Sequence, residues 1–473
     1  MADETSYTLP GTIGYSKTKY IYQSTPHRIN RYVILIAYLL CLTCGCTYYS
    51  WVSLTDYLIL GGKFEWVCTE DEIKTNSESS VKCRDQMISI HEGISLIKGV
   101  DFSVTFFASL ASDKWRPNVM MIFGVFLVII GWLIISFANS SIYMYLSFVI
   151  IGIASAMLYF PVLNIFNLFS DYGSSVISAI IAIGESISHA SIFIMKTVVL
   201  YMHSGKSGFS TVTNCYVGSF LVICLFGAVI CMPGAPFKDQ LELGEDIGGG
   251  NNEASTNSET LSHFQKYMKQ DTTKLDLLPS LLGAKLHLSA ISLTLTSLYS
   301  TYFYAYFYEK YNKMEGVLNF YSILALAFPF IGIPIGIFHD KGYSHWILII
   351  QQMLAFIACL LLKFLPNSTL LGYVSSLCVL PFTSMQETGL ILYVENNYRA
   401  KYLSTLVSSM YTCGGILELL SLLLGSFMCS EEASFNIIFI IIVFNTIILC
   451  GLAYLYKGNR CTDESDSLSV QGA

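Results

Sequence analysis

The chain has 473 residues, of which 53% are hydrophobic and only 12% charged, with a mean hydropathy of +0.56. Soluble domains carry about 25% charged residues, so this composition excludes a water-solvated globular protein and puts most side chains in lipid. The formal net charge of -7 lies mostly in polar segments, and with no basic stripe the sequence offers nothing to nucleic acid.

Residues 1–31 are polar and read as an N-terminal tail, with no cleavable leader evident. Crossing a hydrocarbon core takes about 20 apolar residues as a helix, and lipid gives the backbone no outside partners, so long apolar runs read as helical spans. Six follow the tail, at about 33–60, 88–111, 117–137, 142–164, 175–201 and 212–233. Residues 234–283 then break the pattern. Their Gly248-Gly249-Gly250-Asn251-Asn252 run and Ser/Thr/Glu-rich continuation cannot bury enough apolar surface to fold, which predicts a flexible linker. Six more spans follow, at about 284–308, 315–337, 345–364, 369–393, 402–427 and 433–456, and residues 458–473 form a short polar tail. The expected fold class is an all-α integral membrane protein of twelve transmembrane helices, with one six-helix bundle over 32–233 and another over 284–457.

A repeated pattern relates the two bundles. Ser112-Asp113-Lys114 lies between two apolar runs, the second ending in Asn139-Ser140-Ser141 with Tyr145 beyond. His339-Asp340-Lys341 also lies between two apolar runs, the second ending in Asn367-Ser368-Thr369 with Tyr373 beyond. Same order and matched spacing predict a pseudo-two-fold relation, as in transporters built from repeats.

Orientation follows from the bias of Lys and Arg among the loops. Sixteen fall on the side of the N-terminus and eight on the other, which predicts both termini, and the linker, in the cytoplasm. Cys68 and Cys83 then face an oxidising compartment where a disulfide persists; the alternative is two free thiols.

Ionisable residues inside spans need a partner or an aqueous cavity. Lys98 and Asp101 stand i, i+3 on one helical face and read as an internal salt bridge. Glu185 and His189 stand i, i+4 in the fifth span, either lining a pathway or forming a structural hydrogen-bonded pair. Asp56 either faces an outer vestibule or snorkels to water. Glu387, Glu418 and Lys196 are also inside spans, and acids outnumber bases there, which points to a positively charged or zwitterionic solute. Aromatics crowd the first span (Tyr48, Tyr49, Trp51) and the seventh (Tyr299 to Tyr308); the deeper Tyr299 and Tyr302 suit a cavity, the rest an interfacial belt. There is no Gly-x-Ser-x-Gly, no zinc-type His/Cys spacing and no phosphate-cradling Gly-x-x-x-x-Gly-Lys, so neither an enzyme nor an ATP-driven pump is expected, and no cofactor or metal.

The turn Gly336-Ile337-Phe338-His339-Asp340-Lys341-Gly342 resembles the Gly-x-x-x-Asp-(Arg/Lys)-x-Gly signature of the major facilitator superfamily, and Asp113-Lys114-Trp115-Arg116 resembles a copy lacking both glycines. The resemblance implies a gating role for Asp113, Lys114, Arg116, Asp340 and Lys341, by charge pairing at a helix end; ordinary interfacial anchoring is the alternative. Residues 158–193, with Leu158-Tyr159-Phe160-Pro161, Asn164-Ile165-Phe166-Asn167 and Ser174-Ser175, are similar to facilitative large-neutral-amino-acid transporters, as is Gly61-Gly62-Lys63-Phe64 with Cys68. The apicomplexan amino-acid transporters resemble it in style. The turn after the fourth span departs from that group, for Ser174-Ser175 lacks its basic residue.

The resemblance implies a plasma-membrane secondary transporter of amino acids, neutral/aromatic or cationic, working by alternating access. Ser50, Ser53, Asn164, Asn167, Tyr299, Tyr302, Gln386 and Thr388, on the first, fourth, seventh and tenth spans, are the expected solute contacts. The rivals are the same fold with a monocarboxylate, sugar or nucleoside as cargo, and a nutrient sensor that binds without moving its ligand. A carboxylate cargo would want a mid-membrane Arg, and no span has one.

Overall fold

The structure, a computed structural model, describes residues 31–45, 49–76, 81–114, 117–165, 173–202, 205–231, 283–340, 344–364, 368–397, 403–423 and 435–452. The expected linker and both tails therefore lie outside the described residues, save Arg31 and Gly283. All regular structure among the described residues is helical. Seven of these helices are long and apolar enough to cross a membrane, or eight if one bent pair counts as a single span.

The first half of the chain gives α1 (Arg31–Gly45), α2 (Trp51–Leu60), the short α3 (Glu70–Thr75), α4 (Arg84–Lys114), α5 (Pro117–Phe137), α6 (Ser141–Ile165), α7 (Gly173–Met202), α8 (Gly205–Tyr216) and α9 (Val222–Cys231), the last two joined through a π turn at Val217–Leu221. The second half gives α10 (Ala284–Tyr311), α11 (Glu315–Ala327), α12 (Gly332–Asp340), α13 (Ser344–Phe364), α14 (Thr369–Asn397), α15 (Leu403–Leu423) and α16 (Phe435–Leu452).

Two predicted spans are each divided into two helices. The expected single helix over 33–60 is two, α1 and α2, and Ser50 before α2 has φ -78° and ψ 42°, off helical values. Ser155 of α6 donates to the Gly45 carbonyl, satisfying an acceptor released at the end of α1. The span expected over 315–337 bends by 46° between α11 and α12, across a 3-10 turn at Phe328–Ile331. Pro329 and Pro334 have no amide to bond back one turn, which is the usual cause of such a kink.

Between the sequence halves, the most extensive packing is α4 on α15 and α7 on α12. The α4–α15 contact is backbone against backbone. A Cβ on Gly415 would lie 2.3 Å from the Ser103 amide nitrogen and 2.7 Å from the Gly99 carbonyl oxygen. Further along, Thr105 Oγ1 donates to the Ser408 carbonyl (3.1 Å) and Thr412 Oγ1 accepts from the Phe106 amide (3.1 Å). Small residues let membrane helices approach this closely, and the gain is packing and interhelical hydrogen bonds rather than hydrophobic burial.

The sequence repeat has a counterpart in contacts. Tyr145 of α6 bonds Glu92 of α4 (3.3 Å), and Tyr373 of α14 packs its ring on Phe320 of α11, centroids 4.7 Å apart. Both members of the second pair lie 228 residues after their counterparts in the first, the offset that also separates Asn139 from Asn367 and the buried Ser147 from the buried Ser375.

The segment from α2 to α4 is a built cap. Gly62 takes φ +64°, where a Cβ would strike the Lys206 side chain at 2.3 Å. Phe64, also at positive φ, is buried against Trp66, Tyr145 and Phe148. Thr69 and Glu72 close a capping box on α3. Cys68 and Cys83 are joined in a disulfide, their Cα atoms 5.7 Å apart. Replacing both by serine is expected to cost somewhat less than the ~3 kcal/mol of the chain-entropy estimate, because spans on either side already restrain the loop. A lower melting temperature than wild type in detergent without added reductant, and no difference after reduction, is the expected result.

Lys63 in the same cap donates to the carbonyls of Ser136 (3.2 Å) and Ala138 (3.0 Å) at the end of α5, where a cation meets the negative pole of the helix. Burial, with Lys206 nearby, lowers its ammonium from 10.5 to about 8. Between those values the unfolded chain holds a proton that the folded one has released, so this group makes stability rise as pH increases from about 8 to 10.5. Melting curves across that window should show the rise in wild type and a smaller one in Lys63→Met.

Candidate functional site

Three polar clusters lie where the two sequence halves meet. The deepest is built on Lys98, at the middle of α4. Its Nζ donates to the Ser297 carbonyl (2.9 Å), Ser300 Oγ (2.9 Å) and Thr301 Oγ1 (3.2 Å) of α10 and stands 3.8 Å from Glu418 Oε1 of α15. Ser297 and Thr301 donate to the two oxygens of Glu418, each at 2.6 Å. Lys98 and Glu418 are both buried, Glu418 wholly so. Every charge therefore has hydrogen-bonding partners, the condition for holding ions away from water. Asp101, expected to pair with Lys98, is buried one turn along the same helix, and the Lys98 contacts given above reach two other helices.

The second cluster is built on Asp56, at the middle of α2. Its carboxylate accepts from Lys196 of α7 and from the Tyr308 hydroxyl of α10, and Lys196 also donates to Asn319 Oδ1 of α11 (3.1 Å). Beside it, Arg84 at the start of α4 pairs with Glu309 of α10 at 3.2 Å. The Arg84–Glu309 pair and the hydrogen bonds to Tyr308 and Asn319 tie the first half of the chain to the second at the end of the molecule that carries the disulfide cap.

The third lies between these two, around the start of α2. Ser50 Oγ is 3.0 Å from His189 Nδ1 on α7, and Ser53 donates to Ser322 of α11 at 3.0 Å. Trp51 Nε1 donates to Nδ1 of the buried His91 (2.8 Å), and the Trp51 ring also meets Tyr304. Because Nδ1 accepts, this arrangement holds His91 in its neutral form with the proton on Nε2. Among the described residues that Nε2 has no hydrogen-bond partner.

The structure thus brings together Ser50 with His189, and sets Ser53 and Asp56 on contacts that reach the second half. Tyr299 is buried, and its hydroxyl donates to the Ala355 carbonyl of α13 at 3.0 Å; Tyr302 is buried on α10. Asn164, Glu185, Asp113, Lys114, Asp340, Gln386 and Thr388 have their helical backbone described but not their side chains, and Asn167, Arg116 and Lys341 lie outside the described residues. Among the described residues no group of three His, Cys, Asp or Glu side chains could hold a metal ion.

The sequence model described as Major Facilitator Superfamily matches residues 99–421, well over half of the chain. The chain belongs to the Major Facilitator Superfamily. It is similar over 269 residues, at 28% identity, to a Toxoplasma gondii protein named aromatic and large neutral amino acid transporter 5-3, covering 54% of this chain and 53% of that one. It is 25% identical over 221 residues to arginine transporter 1 of Toxoplasma gondii (strain ATCC 50611 / Me49), covering 46% and 41%. It is 22% identical over 424 residues to amino acid transporter 6-1 of the same strain, covering 84% and 73%. The chain thus spans about half, or less, of the length of the first two. Each of these relatives is named a transporter.

Several members of the clusters are not among the expected solute contacts. Glu418 and Lys196 are visible in the sequence as charges within spans, but their partners are not. Asn319, Ser322, Ser297 and Thr301 are ordinary polar residues in apolar runs, and nothing local marks them. His91 and Glu92, adjacent in the second span, did carry a signal, since an ionisable residue inside a span is a candidate by default.

Proposed function

We propose that this superfamily member moves amino acids across a membrane by alternating access, with twelve spans arranged as two six-helix bundles about a pseudo-two-fold axis. The observation that carries this reading is the deep cluster: a buried base on one half of the chain and a buried acid on the other, ringed by hydroxyls, suit a solute that bears both charges. The names of the relatives support the solute class. The 228-residue offset shared by Tyr145–Glu92 and Tyr373–Phe320 supports the two-fold, as does the reciprocal packing of α4 on α15 and α7 on α12, since a two-fold relating second spans to eighth and fifth to eleventh exchanges these contacts. Ser50, Ser53, Asn164, Asn167, Tyr299, Tyr302, Gln386 and Thr388 remain the proposed solute contacts, with Asp56, Asp101, Glu185 and His189 as pathway charges and Asp113, Lys114, Arg116, Asp340 and Lys341 as gating groups. The bias of Lys and Arg supports cytoplasmic termini, and the plasma membrane is the proposed location.

The test is uptake of radiolabelled amino acids, neutral, aromatic and cationic, by cells or proteoliposomes carrying the protein, with and without a proton gradient. Saturable uptake above the background of empty membranes is the expected result. Uptake of sugars, nucleosides or monocarboxylates in place of amino acids would replace this reading with its rival. Uptake and pH dependence left untouched in Asp101→Asn and Glu185→Gln would remove the pathway charges.

A further inference from the structure

We infer that Lys98 and Glu418 are the groups that receive the two charged ends of the solute: the α-carboxylate takes Lys98 and the α-ammonium takes Glu418. The inference rests on the amino-acid transport reading and names the site that performs it. The argument begins with distance. Lys98 Nζ and Glu418 Oε1 are 3.8 Å apart, longer than the 2.7–2.9 Å of a direct charge-assisted hydrogen bond. The short contacts go to hydroxyls and to the Ser297 carbonyl instead. Thr301 Oγ1 accepts from Lys98 and donates to Glu418, and so bridges the two charges.

Each ion keeps its own partners if the pair is parted. Glu418 retains the Ser297 and Thr301 donors, and Lys98 retains Ser300 and the Ser297 carbonyl. Breaking a buried pair is costly because it strands an uncompensated charge. An α-amino acid removes that cost, since it brings one charge of each sign on adjacent atoms. Insertion of a zwitterion leaves the local charge unchanged, with every ion still paired. A solute with one charge only would leave Lys98 or Glu418 facing a neutral group. The pair also lies at the right place. It joins α4 of the first half to α10 and α15 of the second, at the middle of α4 and α10, where a solute reached from either side would have to sit.

The experiment measures inhibition of tyrosine and arginine uptake by analogues. Methyl esters mask the carboxylate, tyramine and agmatine lack it, and N-acetyl forms mask the ammonium. Wild type should prefer the intact amino acid over each analogue by at least about tenfold, the loss expected for one hydrogen bond to a charged group. Glu418→Gln should lose the preference against the N-acetyl form and keep that against the amine. Lys98→Met with Glu418→Gln, which removes both charges of the pair, should lose both, the ratios falling to about one. Variants that reach the membrane and keep wild-type preferences overturn the inference while leaving transport intact. Should the variants fail to fold, thermal stabilisation of purified wild-type protein decides: a shift with tyrosine or arginine alone supports it, and an equal shift with the amine or N-acetyl form overturns it. Wild type that takes up no amino acid of the neutral, aromatic and cationic panel overturns the transport reading, and this inference with it.

Discussion

Glu418→Ala is expected to lose about 3–5 kcal/mol of stability, the usual consequence of removing one partner from a buried ion pair. The variant removes the carboxylate 3.8 Å from the buried Lys98 ammonium, and strips the Ser297 and Thr301 hydroxyls of their acceptor. The cost is that of the stranded groups rather than the worth of the pair. Lys98→Met with Glu418→Met should therefore recover most of the loss, because an apolar pair of similar volume needs no partners. Melting of the purified proteins in one detergent separates the cases. Equal melting temperatures for the single and double variants, both below wild type, would show that stranded groups are not the source of the loss. A double variant that melts like wild type and fails to transport would show that the charges act on the solute.

Gly415→Val is the second large effect. A Cβ there meets main-chain atoms of Gly99, Phe102 and Ser103, none of which can rotate away, so α4 and α15 must separate. Overpacking costs about 1–3 kcal/mol where side chains can shift, and more where they cannot. Separation would also lengthen the Thr105–Ser408 and Phe106–Thr412 hydrogen bonds. The expected result is little protein at the cell surface and no uptake. Gly414→Ala one residue away is the control, for its Cβ would be 3.4 Å from the nearest atom and needs only a small adjustment. If Gly415→Val folds and transports as wild type does, the close approach of these helices is not needed.

Hydropathy made the helical membrane architecture legible, because lipid forces apolar composition and internal backbone bonding on every span. It did not show where spans break. Pro329 and Pro334 were a readable signal for the bend between α11 and α12, whereas the Gly45 carbonyl at the end of α1 is met by Ser155, which is 110 residues away. The site was legible in its residue types and obscure in its pairings. Spacing along a helix joins Lys98 to Asp101, since only neighbours on one face can be read from sequence. The partners found on α10 and α15 are some two hundred residues or more further on. Ser50 and His189 were both expected near the solute, yet their contact spans 139 residues and has no local signature.

Where α4 crosses α15 on glycine, two main chains touch with no side chains meshed between them. Bodies that tilt about such a point slide little there, however far their outer ends travel. Lys98 and Glu418 sit within one turn of that crossing, next to Gly99 and Leu419. Charges placed at a fulcrum hold their spacing throughout the swing, so a tilt alone would do little to separate them, and an arriving molecule would.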